Sequence, residues 1–320
     1  MKPYFLFFGI IGIIFFSCER NDDIDNGKDL LLDNLLTLTS NLPNAKYVDL
    51  MFISEDIGYA LSTSFVAKTT DGGYSWTTFE IPEYSNGEKI QFINEQIGYA
   101  ITGTQHSGTL LKTTNGGQNW EEIDLHTPES PNGICFLDEN TGFIVGSGLF
   151  IKTTDGGKSW TDVEIEDTYM YLSVNFKNKA EGIATSFNGK YFKTIDGGST
   201  WSNLEYNTVE HLYDIYFVEN RTLVSTFHEH LLDLTNNQKV VSLPSSDLKF
   251  VFFDSDYSIA TGTLITGCWS SSSNIFITSD GWETYTQKTL SIEGTHPICA
   301  KMSDKKVMVI TDRSVMILQK

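Results

Sequence analysis

The chain has 320 residues, with 41 Asp or Glu against 22 Lys or Arg, and its formal charge is −19 at pH 7. Such an acidic surface repels phosphate backbones, so we expect no nucleic-acid partner. The length is sufficient for one large β domain with a substantial core.

The first 17 residues have the pattern of an export signal. Lys2 supplies the positive charge, and Tyr4–Phe16 is apolar apart from glycine. This run is too short to span a membrane but has the length of a signal-peptide core. The end of the run, Phe15-Phe16-Ser17-Cys18, resembles a bacterial lipobox, which implies that Cys18 is lipidated and becomes the mature N-terminus. An ordinary signal peptide with an incidental cysteine is the alternative.

Residues 18–34 start with a polar, acidic stretch that cannot bury a core, so we predict an extended tether. The acidic residues directly after Cys18 are similar to the surface-export signals of Bacteroidota lipoproteins. The sequence therefore predicts a bacterial outer-membrane lipoprotein that meets the membrane through its lipid anchor only. The periplasmic and the cell-surface side remain alternative locations.

A nine-residue phrase then recurs at a period of 40–44 residues. Its four clear copies are Lys68–Trp76, Lys112–Trp120, Lys152–Trp160 and Lys193–Trp201, and a weaker copy is Ile277–Tyr285. A period in this range is typical of β-propellers, in which each repeat is one blade of four short strands. The same spacing places a fifth turn, which lacks the phrase, at Asn236.

Seven apolar segments with this spacing predict the inner strands of seven blades. They are Val48–Ile53, Ile90–Ile93, Ile134–Leu137, Val174–Phe176, Ile215–Val218, Phe250–Phe253 and Ile298–Met302. For residues 35–320 we therefore predict an all-β fold, a single seven-bladed β-propeller with four-stranded antiparallel blades. The last unit, Pro297–Lys320, supplies only three strands. We predict that the N-terminal strand within Leu35–Pro43 completes it, because closure of the ring removes exposed sheet edges.

The phrase resembles the Asp-box, or bacterial neuraminidase repeat. In this motif the acidic side chain accepts N–H bonds within its own hairpin, glycines take positive φ, and tryptophan packs between sheets. The resemblance implies structural roles for Asp71, Asn115, Asp155, Asp196, Asp280, Trp76, Trp120, Trp160 and Trp201. These turns are spread around one rim, so we expect no joint catalytic role. Trp282 and Tyr285 replace a glycine and the tryptophan of the sixth box, which we expect to be looser.

Three cysteines remain if Cys18 is acylated, and an odd number leaves at least one thiol free. Cys135 and Cys299 fall at near-equivalent places in inner strands. We expect both to be buried and to pack as small hydrophobic residues.

A binding site is expected on the opposite face, where the second-to-third-strand hairpins and the blade links emerge. All six histidines map to this face, and three of them could ligate zinc. These candidate ligands are His211, His228 and His230. Hydrated loop histidines, or one histidine packed against Phe227, are the alternative, and we otherwise expect no cofactor. Aromatic residues on this face suit stacking on a sugar or anchoring a peptide. The candidates include Tyr169, Tyr171, Phe187 and Trp269.

Families that share the Asp-box suggest different functions. Sialidases bind the carboxylate of their substrate with three arginines, whereas this chain has only Arg20, Arg221 and Arg313, the first of them in the tether. We therefore exclude a sialidase. Xyloglucanase-type glycosidases use two propellers with a cleft between them, and this chain supplies one.

The best resemblance, over residues 47 to about 290, is to the photosystem II assembly-factor-like propellers. Their repeats read Phe-x-Asp/Asn, then Gly-Tyr/Trp-Ala, then the Lys-Thr-Thr-Asp-Gly-Gly phrase, as in Phe52–Trp76, Phe92–Trp120 and Phe136–Trp160. The resemblance implies a non-enzymatic binding or assembly factor. Members of known role engage their partner through a basic patch, which this arginine-poor chain lacks, so the photosystem partner is not carried over.

These inferences predict a monomeric, non-catalytic binding or scaffold lipoprotein of the cell envelope. It would present the histidine- and aromatic-bearing face to an envelope protein or a glycan. A glycoside hydrolase or a metal-dependent hydrolase that uses the same face is the alternative. The sequence contains no Gly-x-Ser-x-Gly, His-Glu-x-x-His or phosphate-cradling motif, which favours the binding protein.

Overall fold

The computed structural model describes residues 35–81, 86–104, 107–125, 127, 129–165, 170–227, 230–265, 271–293 and 297–319. The predicted signal peptide, Cys18 and the tether lie outside the described residues, as do Tyr169, His228 and Trp269. In the described part of the chain, no helix is long and apolar enough to cross a bilayer.

Seven four-stranded antiparallel sheets form a β-propeller, which confirms the predicted fold class. The first strands of neighbouring sheets contact each other and surround the axis. The strands of each blade are given from the inner to the outer strand. Blade 1 is β2 (Tyr47–Phe52), β3 (Gly58–Ser62), β4 (Phe65–Thr69) and β5 (Thr77–Glu80). Blade 2 is β6 (Asn86–Phe92), β7 (Gly98–Thr104), β8 (Ser107–Thr113) and β9 (Glu121–Asp124), and blade 3 is β10 (Pro131–Phe136), β11 (Gly142–Gly146), β12 (Leu149–Thr153) and β13 (Thr161–Asp162).

The remaining blades repeat this order. Blade 4 is β14 (Tyr171–Phe176), β15 (Gly182–Ser186), β16 (Lys190–Thr194) and β17 (Ser202–Glu205). Blade 5 is β18 (Leu212–Val218), β19 (Arg221–Thr226), β20 (His230–Asp233) and β21 (Gln238–Ser242). Blade 6 is β22 (Ser246–Phe252), β23 (Ser258–Ile265), β24 (Ser271–Thr278) and β25 (Thr286–Glu293). Blade 7 is β26 (Ile298–Ser303), β27 (Lys306–Ile310), β28 (Val315–Gln319) and β1 (Leu36–Leu38).

The ring closes through β1, as the sequence predicts. Leu36 pairs with Ile317 and Leu38 pairs with Val315, so β1 runs antiparallel to β28 as the outer strand of blade 7. The inner strands β2 and β26 contact each other on the other side of the same junction. Blades 7 and 1 therefore share a core that includes Leu38.

The core lies between the blades, and the Gly-aromatic step builds it. Tyr59 is fully buried and stacks on Phe92 of the next blade, with ring centroids 3.5 Å apart. The preceding residue must be glycine, because a Cβ at Gly58 would lie 2.5 Å from the ring of Phe52. Tyr99 stacks on Phe136 in the same way at 3.6 Å. Phe143 stacks on Phe176 at 4.9 Å, so blades 1 to 4 pack on one another through one aromatic pair at each junction.

The Asp-box side chains close their own turns. Asp71 accepts bonds from the N–H and the hydroxyl of Ser75, at 2.8 and 2.6 Å. Asn115 keeps the first of these, since the Asn119 N–H donates to its Oδ1 at 3.0 Å. The equivalent N–H bonds to Asp155, Asp196 and Asp280 measure 2.9, 2.9 and 3.0 Å. The bonds from Ser159 lower the pKa of Asp155 to about 2, so the carboxylate is ionised at neutral pH.

The lysine that opens the phrase connects one blade to the next. Lys68 Nζ donates to the carbonyl of Gly116 at 3.0 Å, and Lys112 Nζ donates to the carbonyl of Gly156 at 2.8 Å. Lys152 repeats the contact with Gly197 at 3.0 Å. Each acceptor is a box glycine of the following blade. The tryptophans also pack at the blade interfaces, as Trp120 does edge-on against Phe92.

The two irregular turns use different residues from those the sequence suggests. In blade 5, Asp233 is fully buried and accepts bonds from the Thr235 N–H and from Arg221 Nε, both at 2.8 Å. The turn therefore depends on Asp233 rather than on Asn236 alone. In blade 6, Trp282 has φ +75°, is only 5 % exposed and packs on Phe250. It supplies the buried indole that position 285 lacks, and the hydrogen bonds of that box are retained.

Candidate functional site

The propeller has two faces that differ in their connections. The link face carries the blade links and the second-to-third-strand hairpins, which are bonded together, as in Ile81 N–H to Ser64 O at 3.3 Å. The box face carries the Asp-box turns and the first-to-second-strand turns, joined by Gly72 N–H to Asp56 O at 2.9 Å. Each inner strand begins at the link face and ends at the box face.

The central channel is polar near the link face. A cavity of about 290 Å³ is lined there by early residues of the inner strands. Its charged lining residues are Asp49, Lys89, Asp214 and Lys249. Near the box face the channel continues as a second cavity of about 460 Å³, with a more apolar lining that includes Phe52, Phe217 and Phe252.

Three of these charges form one ion cluster across the channel. Lys89 Nζ lies 2.8 Å from Asp214 Oδ1, and Lys249 Nζ bonds to Asp214 Oδ2. Lys89 belongs to blade 2 and Asp214 to blade 5, so the pair spans the axis. Burial opposes ionisation of Asp214, but Lys249 and Lys89 outweigh it and hold the pKa of Asp214 well below its usual range. Burial also disfavours the charge on Lys89, yet Asp214 and Asp49 raise the pKa of Lys89.

Side chains from neighbouring blades satisfy the free edges of the inner strands. Gln91 accepts from the Phe136 N–H at 2.7 Å and donates to the Phe136 carbonyl at 3.1 Å. Asn175 Nδ2 donates to the Ile215 carbonyl at 3.2 Å. Because these groups are engaged in the ring, the channel wall is structural at these positions.

Two thiols line the same cavity. Cys135 is buried, as predicted, whereas Cys299 is half-buried and donates to the Lys249 carbonyl at 3.6 Å rather than packing only as an apolar residue. Cys135 and Cys299 are free, and burial raises their pKa to about 12 and about 11. Both are therefore protonated at neutral pH and are poor nucleophiles.

An aromatic patch lies on the link face beside the polar end of the channel. It consists of Phe187, Val209, Glu210, His211, Tyr213, Phe227 and His230, from blades 4 and 5. Phe187 stacks on His211 with centroids 3.8 Å apart, and Tyr213 stacks on Phe227 at 5.9 Å. Val209 is 86 % exposed and Phe227 is 45 % exposed. Two apolar side chains of the aromatic patch therefore reach the solvent, while Phe187, His211 and Tyr213 are half-buried.

Backbone hydrogen bonds hold the aromatic patch in place. Gly189 donates its N–H to the Glu210 carbonyl at 2.8 Å, and the Phe227 N–H donates to the His211 carbonyl at 3.2 Å. Glycine is required at 189, where φ is +74° and a Cβ would lie 2.2 Å from the Tyr206 carbonyl. The link between blades 4 and 5 is therefore fixed before any ligand arrives.

One charged pair sits within the aromatic patch. His230 Nε2 lies 3.2 Å from Glu210 Oε1, and the two side chains are 26 % and 17 % exposed. Three further atoms of the patch are buried without a protein partner: Glu210 Oε2, His211 Nδ1 and His230 Nδ1.

Three residues proposed from the sequence, Phe187, His211 and His230, meet in the aromatic patch. Tyr171 does not offer its ring to the surface, because it is 3 % exposed and packs against Phe150 and Phe192 in the core. Tyr169, His228 and Trp269 lie outside the described residues. Among the residues that are described, no group of three His, Cys, Asp or Glu is arranged to hold a metal ion.

The sequence analysis missed the ion cluster and, in the aromatic patch, Val209, Glu210 and Tyr213. A signal for the ion cluster is present, since Lys89, Asp214 and Lys249 each stand directly before the apolar run of an inner strand. Glu210 and Tyr213 stand one and two residues from His211 in the sequence. The position of this histidine in a blade link was therefore the signal that could have identified them.

The comparison with known families agrees with the resemblance found in the sequence. Residues 37–291 match the family described as photosynthesis system II assembly factor YCF48. A search of curated proteins finds no match.

Several solved structures share the fold. A structure described as YCF48 bound to D1 peptide has a TM-score of 0.67 and 19% identity over 89% of this chain and 94% of that one. YCF48 from Cyanidioschyzon merolae has a TM-score of 0.65 and 18% identity over 89% and 98% of the two chains. The GH74 enzyme of Niastella koreensis has a TM-score of 0.68 and 14% identity, over 89% of this chain but only 53% of its own.

At these identities the solved structures establish the fold alone. The family match is stronger evidence, because it covers six of the seven inner strands and the repeated phrase in every copy. The chain belongs to the photosynthesis system II assembly factor YCF48 family.

Proposed function

We propose that this protein is a non-catalytic assembly or scaffold factor that binds a segment of a partner protein through its link face. The observation that carries the proposal is the family match over residues 37–291. A related propeller in complex with a peptide, the structure of YCF48 bound to D1 peptide, supports a polypeptide as the kind of ligand. The identity of the partner of this chain does not follow from that complex and has to be inferred from the surface of this chain.

The geometry favours the link face over the box face. The box carboxylates are engaged in their own turns, as Asp71 is with Ser75. The link face presents the aromatic patch, with Phe227 and Val209 exposed on a fixed backbone. Exposed aromatic side chains on a rigid scaffold are the usual anchors of a protein interface.

We further propose that the protein acts at the bacterial cell envelope through lipidation of Cys18. The first described residues lead into β1, which runs toward the link face because it pairs antiparallel with β28. The described chain therefore begins at the box-face end of β1, on the side opposite the link face. A lipid anchor at Cys18 is compatible with a partner on the link face for this reason.

Site-specific photo-crosslinking in the native host tests the choice of face. A photoreactive amino acid replaces Phe227 on the link face or, as the matched control, Tyr74, which is 57 % exposed in a box turn. We expect a defined protein adduct from position 227 and none from position 74. Adducts confined to position 74 would place the interface on the box face and contradict the proposal.

Two assays on the purified protein address the enzymatic alternatives. Hydrolysis of envelope glycans that is lost when the aromatic patch is changed would favour a glycosidase. Stoichiometric zinc that disappears in the double variant His228→Ala, His230→Ala would favour a metal-dependent protein. We expect neither result.

A further inference from the structure

The central channel has two chemically different ends. The cavity of about 290 Å³ near the link face contains all four charged residues of the ion layer, and the cavity of about 460 Å³ near the box face has a mainly apolar lining. Both cavities are lined by Asn175, Ile215, Tyr216, Phe250 and Cys299, so the two adjoin each other. The channel is therefore amphipathic along its axis.

Apolar side chains at the box-face end are not fully buried by the protein. Met51, Phe52, Phe217 and Phe252 line this cavity, and each of them is only half-buried. A concave site of a few hundred Å³ with a mainly apolar lining and a few polar groups is typical of small-molecule sites. An apolar group that replaces water here would bury these side chains further, which is favourable.

The ion cluster at the other end has unused hydrogen-bond donors. Lys89 Nζ and Lys249 Nζ each donate to one oxygen of Asp214, whereas an ammonium group has three N–H donors. Within the described part of the chain, neither ammonium has a further acceptor. The two lysine side chains are 26 % and 30 % exposed, and both line the cavity, so they reach its solvent.

The two carboxylates at this end already have partners on each oxygen. Asp214 accepts from Lys89 on one oxygen and from Lys249 on the other. Asp49 accepts from the N–H of Leu50 at 3.1 Å and from the N–H of Ile90 at 2.9 Å. The excess of donors favours a ligand that accepts hydrogen bonds, and the two cationic donors favour an anionic acceptor.

We propose that the channel binds a monocarboxylic acid with an alkyl tail. The carboxylate accepts from Lys89 and Lys249, and the tail lies along Phe217 and Phe252 toward the box face. The bond between Lys89 and Asp214 crosses the axis near the link face, so the ligand enters from the box face. This site is separate from the link-face interface and does not rest on the proposed function.

The neighbouring charges select a carboxylate among the possible head groups. A phosphate with two negative charges would be repelled more strongly by Asp49 and Asp214. An uncharged hydroxyl would accept more weakly from the lysines, because hydrogen bonds between ionised partners are the stronger ones. A cationic head group would meet the two ammonium groups and be excluded.

Isothermal titration calorimetry of the purified protein tests this choice. The ligands are decanoate, 1-decanol and decyltrimethylammonium, which have the same tail length, at concentrations at which all three are monomeric. We expect decanoate to bind at least tenfold more tightly than 1-decanol, and decyltrimethylammonium not to bind. Octanoate should bind about tenfold more weakly than decanoate, because it buries two fewer methylene groups.

Variants assign the binding to the two ends of the channel. Lys249→Met should remove most of the preference for decanoate over 1-decanol, while Asp214 retains Lys89 as a partner. Lys158→Met, at an exposed lysine of a box turn, is the matched control and should leave binding unchanged. Phe217→Ala should weaken decanoate and 1-decanol alike. The series of ligands on the unchanged protein decides the question even if a channel variant fails to fold.

A decanoic acid analogue with a diazirine at the end of its tail locates the bound ligand. On illumination it should label peptides that contain Phe217 or Phe252, and an excess of decanoate should prevent this labelling. Equal binding of decanoate and 1-decanol would overturn the inference, and so would labelling confined to the outer strands. Crosslinking from position 227 is a separate measurement, so either result would leave the proposed function standing.

Discussion

Asp214→Asn removes the one carboxylate that Lys89 and Lys249 share in the channel. The change keeps the shape of the side chain, so the loss is electrostatic. Asp214 and the two lysines have side chains that are 16 %, 26 % and 30 % exposed, so all three charges are largely screened from water. Removing one partner of a buried ion pair costs roughly 3–5 kcal/mol, because the other charge stays buried. We expect about 3 kcal/mol, since the lysine ends retain some solvent.

Urea denaturation of the purified protein measures this loss. Asp138→Asn is the matched control, because Asp138 pairs with Lys179 on the surface, where the side chains are 36 % and 75 % exposed. Exposed pairs contribute about 0–1 kcal/mol, so this variant should stay close to the wild type. Replacing both channel lysines by methionine in the Asp214→Asn background should recover most of the stability. A loss from Asp214→Asn no larger than that of the control would refute the role of the ion cluster.

Three further predictions follow from the box turns. Lys112→Met removes the hydrogen bond to the Gly156 carbonyl of the next blade and should lower the free energy of unfolding by about 1 kcal/mol. Lys158→Met in the adjacent turn should lower it hardly at all, and equal losses from the two variants would contradict the role of Lys112 in connecting the blades. Trp282→Gly should cost about 2–4 kcal/mol in denaturant, because the lost indole outweighs the relief of its positive φ; a stabilised variant would contradict this. The pKa of Asp155 is lower in the folded protein than the ordinary value of 3.8, so its ionised carboxylate stabilises the fold at pH values above 3.8. This stabilisation should vanish as the pH falls toward about 2, the pKa in the folded protein. In thermal unfolding, Asp155→Asn should therefore flatten the acid side of the pH profile, and an unchanged profile would argue against it.

The sequence was sufficient to predict the architecture because the spacing of the repeat marks an equivalent position in every blade. The phrase marks the third-to-fourth-strand turn, and its spacing located both the turn without the phrase and the closing strand β1. Each of these inferences depends on residues close together in the chain. The Gly-aromatic step also has a local origin, since Gly58 and the ring that crosses it are only six residues apart.

The ion cluster and the aromatic patch depend on contacts that no local pattern records. Lys89 meets Asp214 across the channel, and Phe187 meets His211 only because a hairpin and a link of neighbouring blades converge. The sequence also misassigned one ring: Tyr171 begins an inner strand and therefore points into the core rather than toward a ligand. At position 282, burial of the indole outweighed the backbone preference for glycine, so the expectation of a looser box was wrong for its hydrogen bonds.

Hydrogen–deuterium exchange of the protein with and without the partner recovered by crosslinking tests the central claim most directly. That claim assigns the box turns to the scaffold and the link face to binding. It predicts slower exchange in segments 186–190 and 206–213 of the link face, with no change in the box turns 69–76 and 113–120. Protection of the box turns alone would contradict it.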